Sequence, residues 1–227
     1  MDKNHFIVLE GIDGSGKATQ SDFLIKKLEA DDYTVRKIDF PRYEDNFFGQ
    51  FIGDCIAGKH GDFVNTDPYI TSVLYGADRW ESKKQIKEWL EKDYIVVADR
   101  YVGSNQIHQG GKIKDSAERK KFLQWLEKME YEAFQLPRPG LVVFLDMKVD
   151  LSLSLLNKQD LKEKSYLQGE EDLLEASRGY LSNSRQAALK ICQDHNNWRK
   201  VSCYNGDKIL SREKINKKVY SLVKKFL

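Results

Sequence analysis

His5-Phe6-Ile7-Val8-Leu9-Glu10-Gly11-Ile12-Asp13-Gly14-Ser15-Gly16-Lys17-Ala18-Thr19 is the stretch on which the reading of this chain turns. Phe6 to Leu9 is an unbroken apolar run, the pattern of a short strand buried on both faces. Gly11 to Lys17 then spells GxxxxGK, and Phe23, Leu24 and Leu28 follow at helical spacing. Strand before and helix after is the context that gives the pattern a mechanism. The glycines let successive backbone N–H groups point into one concavity, which with the helix N-terminus cradles an anion. Lys17 adds a point charge for the outer phosphates. The loop predicts binding of a nucleoside triphosphate through Gly11, Asp13, Gly14, Ser15, Gly16, Lys17, Ala18 and Thr19. One position departs from the pattern. Ala18 stands where a Ser or Thr hydroxyl ordinarily binds Mg²⁺. The ion is then expected on water, nucleotide oxygens and nearby carboxylates, with Asp13 and Asp99 as candidates. Thr19 projects about 100° further around the helix and is not an equivalent ligand.

Working outward, short apolar runs alternate with longer helical patterns, which favours an α/β fold with a parallel sheet. The expected strands are Phe6–Glu10, Thr34–Phe40, Tyr94–Asp99, Leu141–Asp146 and Arg199–Cys203. Expected helices include Ser21–Ala30, Ser82–Glu91, Glu118–Glu130, a long one over Glu170–Asp194 and an amphipathic one over Ser211–Phe226. Asp67-Pro68 reads as an N-cap followed by proline at the first helical position. Pro137-Arg138-Pro139-Gly140 reads as a turn, so the expectation is one domain over 1–227.

Composition narrows the class. The chain has 227 residues, 41% hydrophobic and 32% charged, with a net charge of +2. That balance gives no reason to expect nucleic acid or an anionic membrane as partner. Cys55, Cys192 and Cys203 are an odd number without metal-like spacing, so reduced thiols are expected. No apolar run reaches spanning length and no signal-peptide core precedes the loop. A soluble, cytoplasmic protein is the expectation.

Two further segments carry chemistry. Tyr94-Ile95-Val96-Val97-Ala98-Asp99-Arg100 is a buried strand ending in a carboxylate and a guanidinium. It delivers both to the carboxyl edge of the sheet, where parallel α/β proteins bind ligands. Asp99 can act as an acid near Mg²⁺, and Arg100 can fork onto a phosphate; a purely structural Asp–Arg pair is the alternative. In Ser72-Val73-Leu74-Tyr75-Gly76-Ala77-Asp78-Arg79-Trp80, Tyr75 and Arg79 share one helix face. A base could stack on the ring while the arginine reads a carbonyl; a packed tyrosine beside a surface arginine is the alternative. Between residues 157 and 169 the apolar pattern breaks. Lys158, Lys162 and Lys164 alternate there with acids, as a charged surface loop or as a lid that brings cations over phosphates.

Together these segments resemble the thymidylate kinases, a family of P-loop nucleoside monophosphate kinases, over essentially the whole chain. The matching blocks are Gly11–Gln20, Phe40-Pro41-Arg42, Leu74–Trp80, Asp99-Arg100-Tyr101 and Ser104-Asn105-Gln106-Ile107-His108-Gln109-Gly110. The resemblance implies a three-layer P-loop kinase fold, a five-stranded parallel sheet flanked by helices, with a short lid at about 157–169. It implies transfer of the ATP γ-phosphoryl group to dTMP, with Mg²⁺, in a homodimer. Asp13, Lys17 and Arg100 would be catalytic. Phe40, Arg42, Tyr75, Arg79, Arg100, Asn105, His108 and Gln109 would bind dTMP, with Arg42 and Arg100 on its phosphate. Tyr75 would stack on the base, Arg79 would bond a thymine carbonyl, and Asn105 would bond the base edge with Gln109 beside it. His108 stands where bacterial members usually carry a tyrosine that packs on the deoxyribose. Gly14 replaces an arginine found in some members, and the lid offers lysines only: Lys158, Lys162 and Lys164.

Three rivals remain at this stage. One is a kinase for another nucleoside monophosphate or a deoxynucleoside. Another is a GTP-binding switch, suggested by Asn157-Lys158-Gln159-Asp160 but lacking a DxxG after a suitable strand. The third is a nucleotide-binding protein that lost catalysis through Ala18.

Overall fold

In the computed structural model, which describes residues 4–63, 65–156 and 178–227, the strand that precedes the glycine loop lies at the centre of a sheet. The chain runs β1 (Phe6–Glu10), α1 (Lys17–Ala30), β2 (Val35–Asp39), α2 (Phe47–Ile56), α3 (Pro68–Glu81), α4 (Lys83–Glu91) and β3 (Ile95–Asp99). A helical stretch follows: α5 (Val102–Ser104), a π-helical turn (Asn105–Gln109) and α6 (Gly110–Lys112). Then come α7 (Ser116–Glu127), a second π-helical turn (Lys128–Ala133), β4 (Leu141–Asp146) and α8 (Val149–Leu156). The chain ends with α9 (Arg178–Asp194), β5 (Trp198–Ser202), a small hairpin of β6 (Tyr204–Asn205) and β7 (Lys208–Ile209), and α10 (Arg212–Phe226). The expected lid, 157–169 with Lys158, Lys162 and Lys164, lies outside the described residues, as does the Asn157-Lys158-Gln159-Asp160 stretch.

The five expected strands form one parallel sheet in the order β2-β3-β1-β4-β5. Alternation of side chains sorts β1 into two layers. Phe6 and Val8 join Val96, Ala98, Val142 and Phe144 under Ile86, Tyr101, Ile107, Ala188 and Ile191. Ile7 and Leu9 join Val97, Val143 and Leu145 under Leu24, Leu28, Ile215, Val219 and Val223. Helices α1 and α10 therefore cover one face, and α4, α9 and the 102–112 stretch help to cover the other. Every residue of β1 and β4 is buried, whereas β2 and β5 at the edges bury fewer. Burial on both faces is what makes the central strands continuous apolar runs.

Local signals agree with this frame. Asp67 Oδ1 accepts from the amide of Tyr69 at 2.8 Å and of Ile70 at 3.4 Å, with Pro68 opening α3. A cap of this kind is worth about 1 kcal/mol. Ser211 caps α10 through Lys214 N–H at 3.3 Å. The fifth strand begins one residue earlier than its apolar pattern indicates, at Trp198, because the indole seals the core edge beside Val142. With β3 and β4 flanking β1 on opposite sides, the loop after β1 emerges at the sheet's carboxyl edge between diverging connections, where such sheets form a ligand crevice.

Candidate active site

The glycine loop has the shape its sequence demands. Gly14 and Gly16 sit at φ 71° and 85°, conformations that cost a residue with a Cβ. Gly16 caps α1 in that left-handed state, so the first amides of the helix open onto the loop. A Cβ at Gly11 would lie 2.4 Å from Ser15 Oγ and 3.1 Å from Leu145 O, so a side chain here would have to displace the Ser15 hydroxyl. Lys17 folds back across the loop, and its ammonium donates to the carbonyls of Gly11 and Ile12, each at 3.0 Å. Burial and the nearby Arg100 lower its pKa to about 8, against the pull of Asp13, Asp99 and Glu10.

The end of β3 forms the opposite lip. Arg100 turns the chain at φ 65°, a left-handed conformation that a non-glycine residue holds only under constraint from its surroundings. Its amide donates to Leu9 O at 3.0 Å, locking the corner to β1. Its Nη2 pairs with the Asp13 carboxylate, and its Nη1 lies 3.2 Å from His108 Nε2. Beneath the corner, the fully buried Glu10 accepts from Tyr101 N–H at 2.8 Å and Ser104 Oγ–H at 2.7 Å. Burial pushes the Glu10 carboxyl up to about 7 despite those donors and the cations Arg100 and Lys17. Burial also raises the pKa of Asp99, against Lys17 and Arg100, and Asp39 adds to the rise from the neighbouring strand.

A cleft of about 890 Å³ joins these groups. Residues 13–19, Asp99 and Arg100 line it together with Phe40, Tyr75, Arg79, Asn105, His108 and Gln109. Arg79 is not on the surface: it is 2% exposed, and Glu130 beside it is fully buried. Glu130 takes Arg79 Nε at 3.1 Å and also pairs with its Nη2, while Nη1 lies 3.4 Å from Tyr101 O. Asn105 Nδ2 donates to Ser72 O at 3.1 Å and to Glu130 at 3.0 Å. Both partners are acceptors, so the Asn105 amide is oriented and its Oδ1 faces away from them. Gln109 Oε1 is a buried acceptor without a partner among the described residues. Phe40 is placed by its amide donating to Asp99 O at 3.0 Å.

One expected residue stands apart. Arg42 is absent from the cleft lining, and its guanidinium is engaged by Asp45 at 2.8 and 3.2 Å, Ser82 Oγ at 3.2 Å and Gln85 at 3.0 Å. Four residues that shape the site escape sequence reading: Glu10, Glu130, Tyr180, whose ring lies against the His108 imidazole, and Ser184, whose Oγ is 3.2 Å from His108 Nδ1. Glu10 and Glu130 read as the polar ends of a strand and of a solvated helix. Only the acid at the end of an otherwise apolar strand offered a signal.

Comparison with known proteins decides the family. A family model described as thymidylate kinase matches residues 9–202, from inside β1 to the end of β5. The chain belongs to the thymidylate kinase family. A probable thymidylate kinase of Pyrococcus abyssi is 30% identical over 226 residues, 98% of this chain and 97% of the relative. One from Thermococcus gammatolerans is 35% identical over 162 residues, 69% of this chain and 72% of the relative. The thymidylate kinase of Mycobacterium tuberculosis is 28% identical over 146 residues, 64% of this chain and 67% of the relative. Thymidylate kinases are ATP-dependent phosphotransferases, and membership places this chain with them rather than with GTP-binding switches. Among the described residues no helix is long and apolar enough to cross a membrane.

Proposed function

We propose that this chain phosphorylates dTMP, passing the γ-phosphoryl group of ATP to the 5′-phosphate to give dTDP and ADP. The observation that carries the reading is that one cleft is lined both by the phosphate loop and by Tyr75, Arg79, Asn105 and Gln109. An acceptor phosphate oxygen attacks the γ-phosphorus, the bond to the β–γ bridging oxygen breaks, and ADP leaves. Both reactants are anions, so catalysis consists of positioning and charge neutralisation. Residues 11–19 cradle the donor phosphates, with Lys17 leaving the Gly11 and Ile12 carbonyls for them. Arg100 grips the acceptor phosphate and Asp13 orients that guanidinium. Arg42 reaches the same phosphate by exchanging its partner Asp45, whose carboxylate is largely exposed. Lys158, Lys162 and Lys164, in a lid over 157–169 of one 1–227 domain, supply cations in place of an arginine at Gly14.

The base side follows from hydrogen-bond inventory. Tyr75 stacks on thymine. Glu130 holds Arg79 by Nε and Nη2 and Tyr101 O takes one N–H of Nη1, which leaves the second Nη1 N–H for a base carbonyl. Asn105 Oδ1 and the unpartnered Gln109 Oε1 are acceptors for the base N3–H. An apolar pocket for the 5-methyl group contributes only ~1–3 kcal/mol of preference over uracil.

Mg²⁺ fits this donor set. Asp13 and Asp99 lie at the loop's edge with Lys17 and Arg100 opposing them, and Mg²⁺ needs only one or two carboxylates besides phosphate and water. Held there, without a hydroxyl at Ala18, it would neutralise charge on the phosphates. For quaternary structure we propose a homodimer through α3. Ile70, Val73 and Trp80 are 59%, 40% and 48% exposed at helical spacing, and Phe47, 71% exposed, sits at the end of α3 with its amide donating to Glu81 at 3.2 Å. A cytoplasmic location suits reduced cysteines and a small-molecule substrate. The test is an acceptor panel of dTMP, dUMP, dCMP and ribosyl TMP in a coupled ADP-release assay. dTMP should be preferred by roughly tenfold or more over dUMP; equal turnover of the two would refute thymine recognition.

A further inference from the structure

The polar chain that ends on Arg100 begins on a helix that the reaction does not otherwise use. Ser184 lies fully buried on α9, and its Oγ is 2.8 Å from the carbonyl of Tyr180, one turn earlier. Its Oγ is also 3.2 Å from His108 Nδ1. The other ring nitrogen, Nε2, is 3.2 Å from Arg100 Nη1. The Tyr180 ring lies parallel to the imidazole, 5.6 Å between centroids and 14° between planes.

These contacts admit one assignment of protons. A guanidinium can only donate, so His108 Nε2 must accept from Arg100. An imidazole that accepts at Nε2 carries its proton on Nδ1 and is neutral. Nδ1–H then donates to Ser184 Oγ, and the single hydroxyl proton of Ser184 goes to the Tyr180 carbonyl. A doubly protonated ring would set an N–H against the arginine. Burial favours the same state, lowering the His108 pKa to about 3, and the facing charges of Arg100, Lys17 and Lys112 outnumber that of Asp13.

We propose that Ser184 and His108 form a positioning relay that fixes the Arg100 guanidinium for the acceptor phosphate, with the Nδ1–H tautomer of His108 as its key element. The proposal rests on the phosphate-gripping role given to Arg100 above. Asp13 holds one arm of the fork through Nη2, and His108 holds the other through Nη1. Two fixed points on a planar group set its direction, which an ion pair to Asp13 alone leaves free to swing. Neither Ser184 nor His108 supplies charge to the transferring group in this role.

Three variants and one spectrum test it. His108→Phe keeps a ring against Tyr180 but has no acceptor. His108→Gln keeps an acceptor near the Nε2 position but loses the stack. Ser184→Ala releases the tautomer. The phenylalanine variant should raise KM for dTMP about tenfold or more, the scale of a lost hydrogen bond to a charged group. KM for ATP should stay within about twofold, glutamine should recover most of the loss, and Ser184→Ala should shift KM for dTMP in the same direction by less. A packing role predicts the reverse order, with phenylalanine tolerated and glutamine harmful, and that result overturns the relay. The wild-type protein supplies the independent readout: ¹⁵N NMR of His108 at neutral pH should show a protonated Nδ1 and an unprotonated Nε2. An Nε2–H or doubly protonated ring overturns the relay even in an active enzyme. The expected tautomer in a wild-type protein that ignores dTMP would overturn the acceptor role of Arg100, and the positioning claim with it.

Discussion

Replacing Glu130 by alanine should destabilise this protein more than almost any other single change of a charged residue. Glu130 is fully buried and Arg79 is 2% exposed, and the carboxylate meets both Nε and Nη2 of the guanidinium. It also accepts from Asn105 Nδ2 at 3.0 Å. Truncation leaves a buried cation without its counter-ion, a change that costs about 3–5 kcal/mol. For a chain of this length each kcal/mol lowers Tm by about 2–4 °C, so the expected drop is roughly 6–20 °C. Removing both charges should cost less than removing one. In Arg79→Met/Glu130→Leu the desolvation of both ions disappears, and stability should recover most of the loss. The two single variants and the double, melted in urea with the m-value checked for constancy, form a double-mutant cycle. A loss below about 1 kcal/mol for Glu130→Ala, or a coupling energy near zero, would refute the buried pair. The double variant also separates fold from function. It should be folded yet bind dTMP weakly, because no guanidinium remains to meet the base.

Further outcomes follow from the loop, its supporting acid and the exposed face of α3. Lys17→Ala should lower kcat by about a hundredfold or more with little change in stability, measured by ADP release and thermal melting, since its charge acts on the transferring group. Glu10 has a folded-state pKa raised from 4.5 to about 7, so its contribution to stability is fully present below pH 4.5 and is lost as pH rises through 7. That loss amounts to roughly 3 kcal/mol. Glu10→Gln, whose amide can meet Tyr101 N–H and Ser104 Oγ, should remove this component; urea midpoints at pH 5 and pH 8 that move in parallel for both proteins would contradict it. Ile70→Glu combined with Trp80→Glu should convert the proposed dimer to a monomer in sedimentation velocity; a wild-type protein that sediments as a monomer, or an unchanged coefficient in the variant, would refute the α3 interface.

The sheet was legible because its central strands are buried on both faces, and an unbroken run such as Leu141–Asp146 has few other readings. The loop was legible because Gly14 and Gly16 meet a backbone requirement that is local in sequence. Helix α2 was not, since Gly49 and Gly53 weaken its pattern. Gly49 is dictated by the turn that enters the helix, because a Cβ there would lie 2.0 Å from Arg42 O. The hairpin β6–β7 has only two residues in each strand and turns at Gly206, too short for any periodicity to register. At the site, Tyr75 and Arg79 were readable as a pair on one helix face. Their orienting partners were not: Glu130 lies 51 residues from Arg79, and Ser184 lies 76 residues from His108. Local spacing finds groups that line the cleft, while the fold supplies the groups that aim them.

Transfer of label from [γ-³²P]ATP to dTMP tests the central claim most directly. The account predicts that label appears in dTDP in proportion to the ADP formed, saturably in dTMP and only with Mg²⁺ present. Release of labelled inorganic phosphate at the same rate with and without dTMP, and no labelled dTDP, would contradict it.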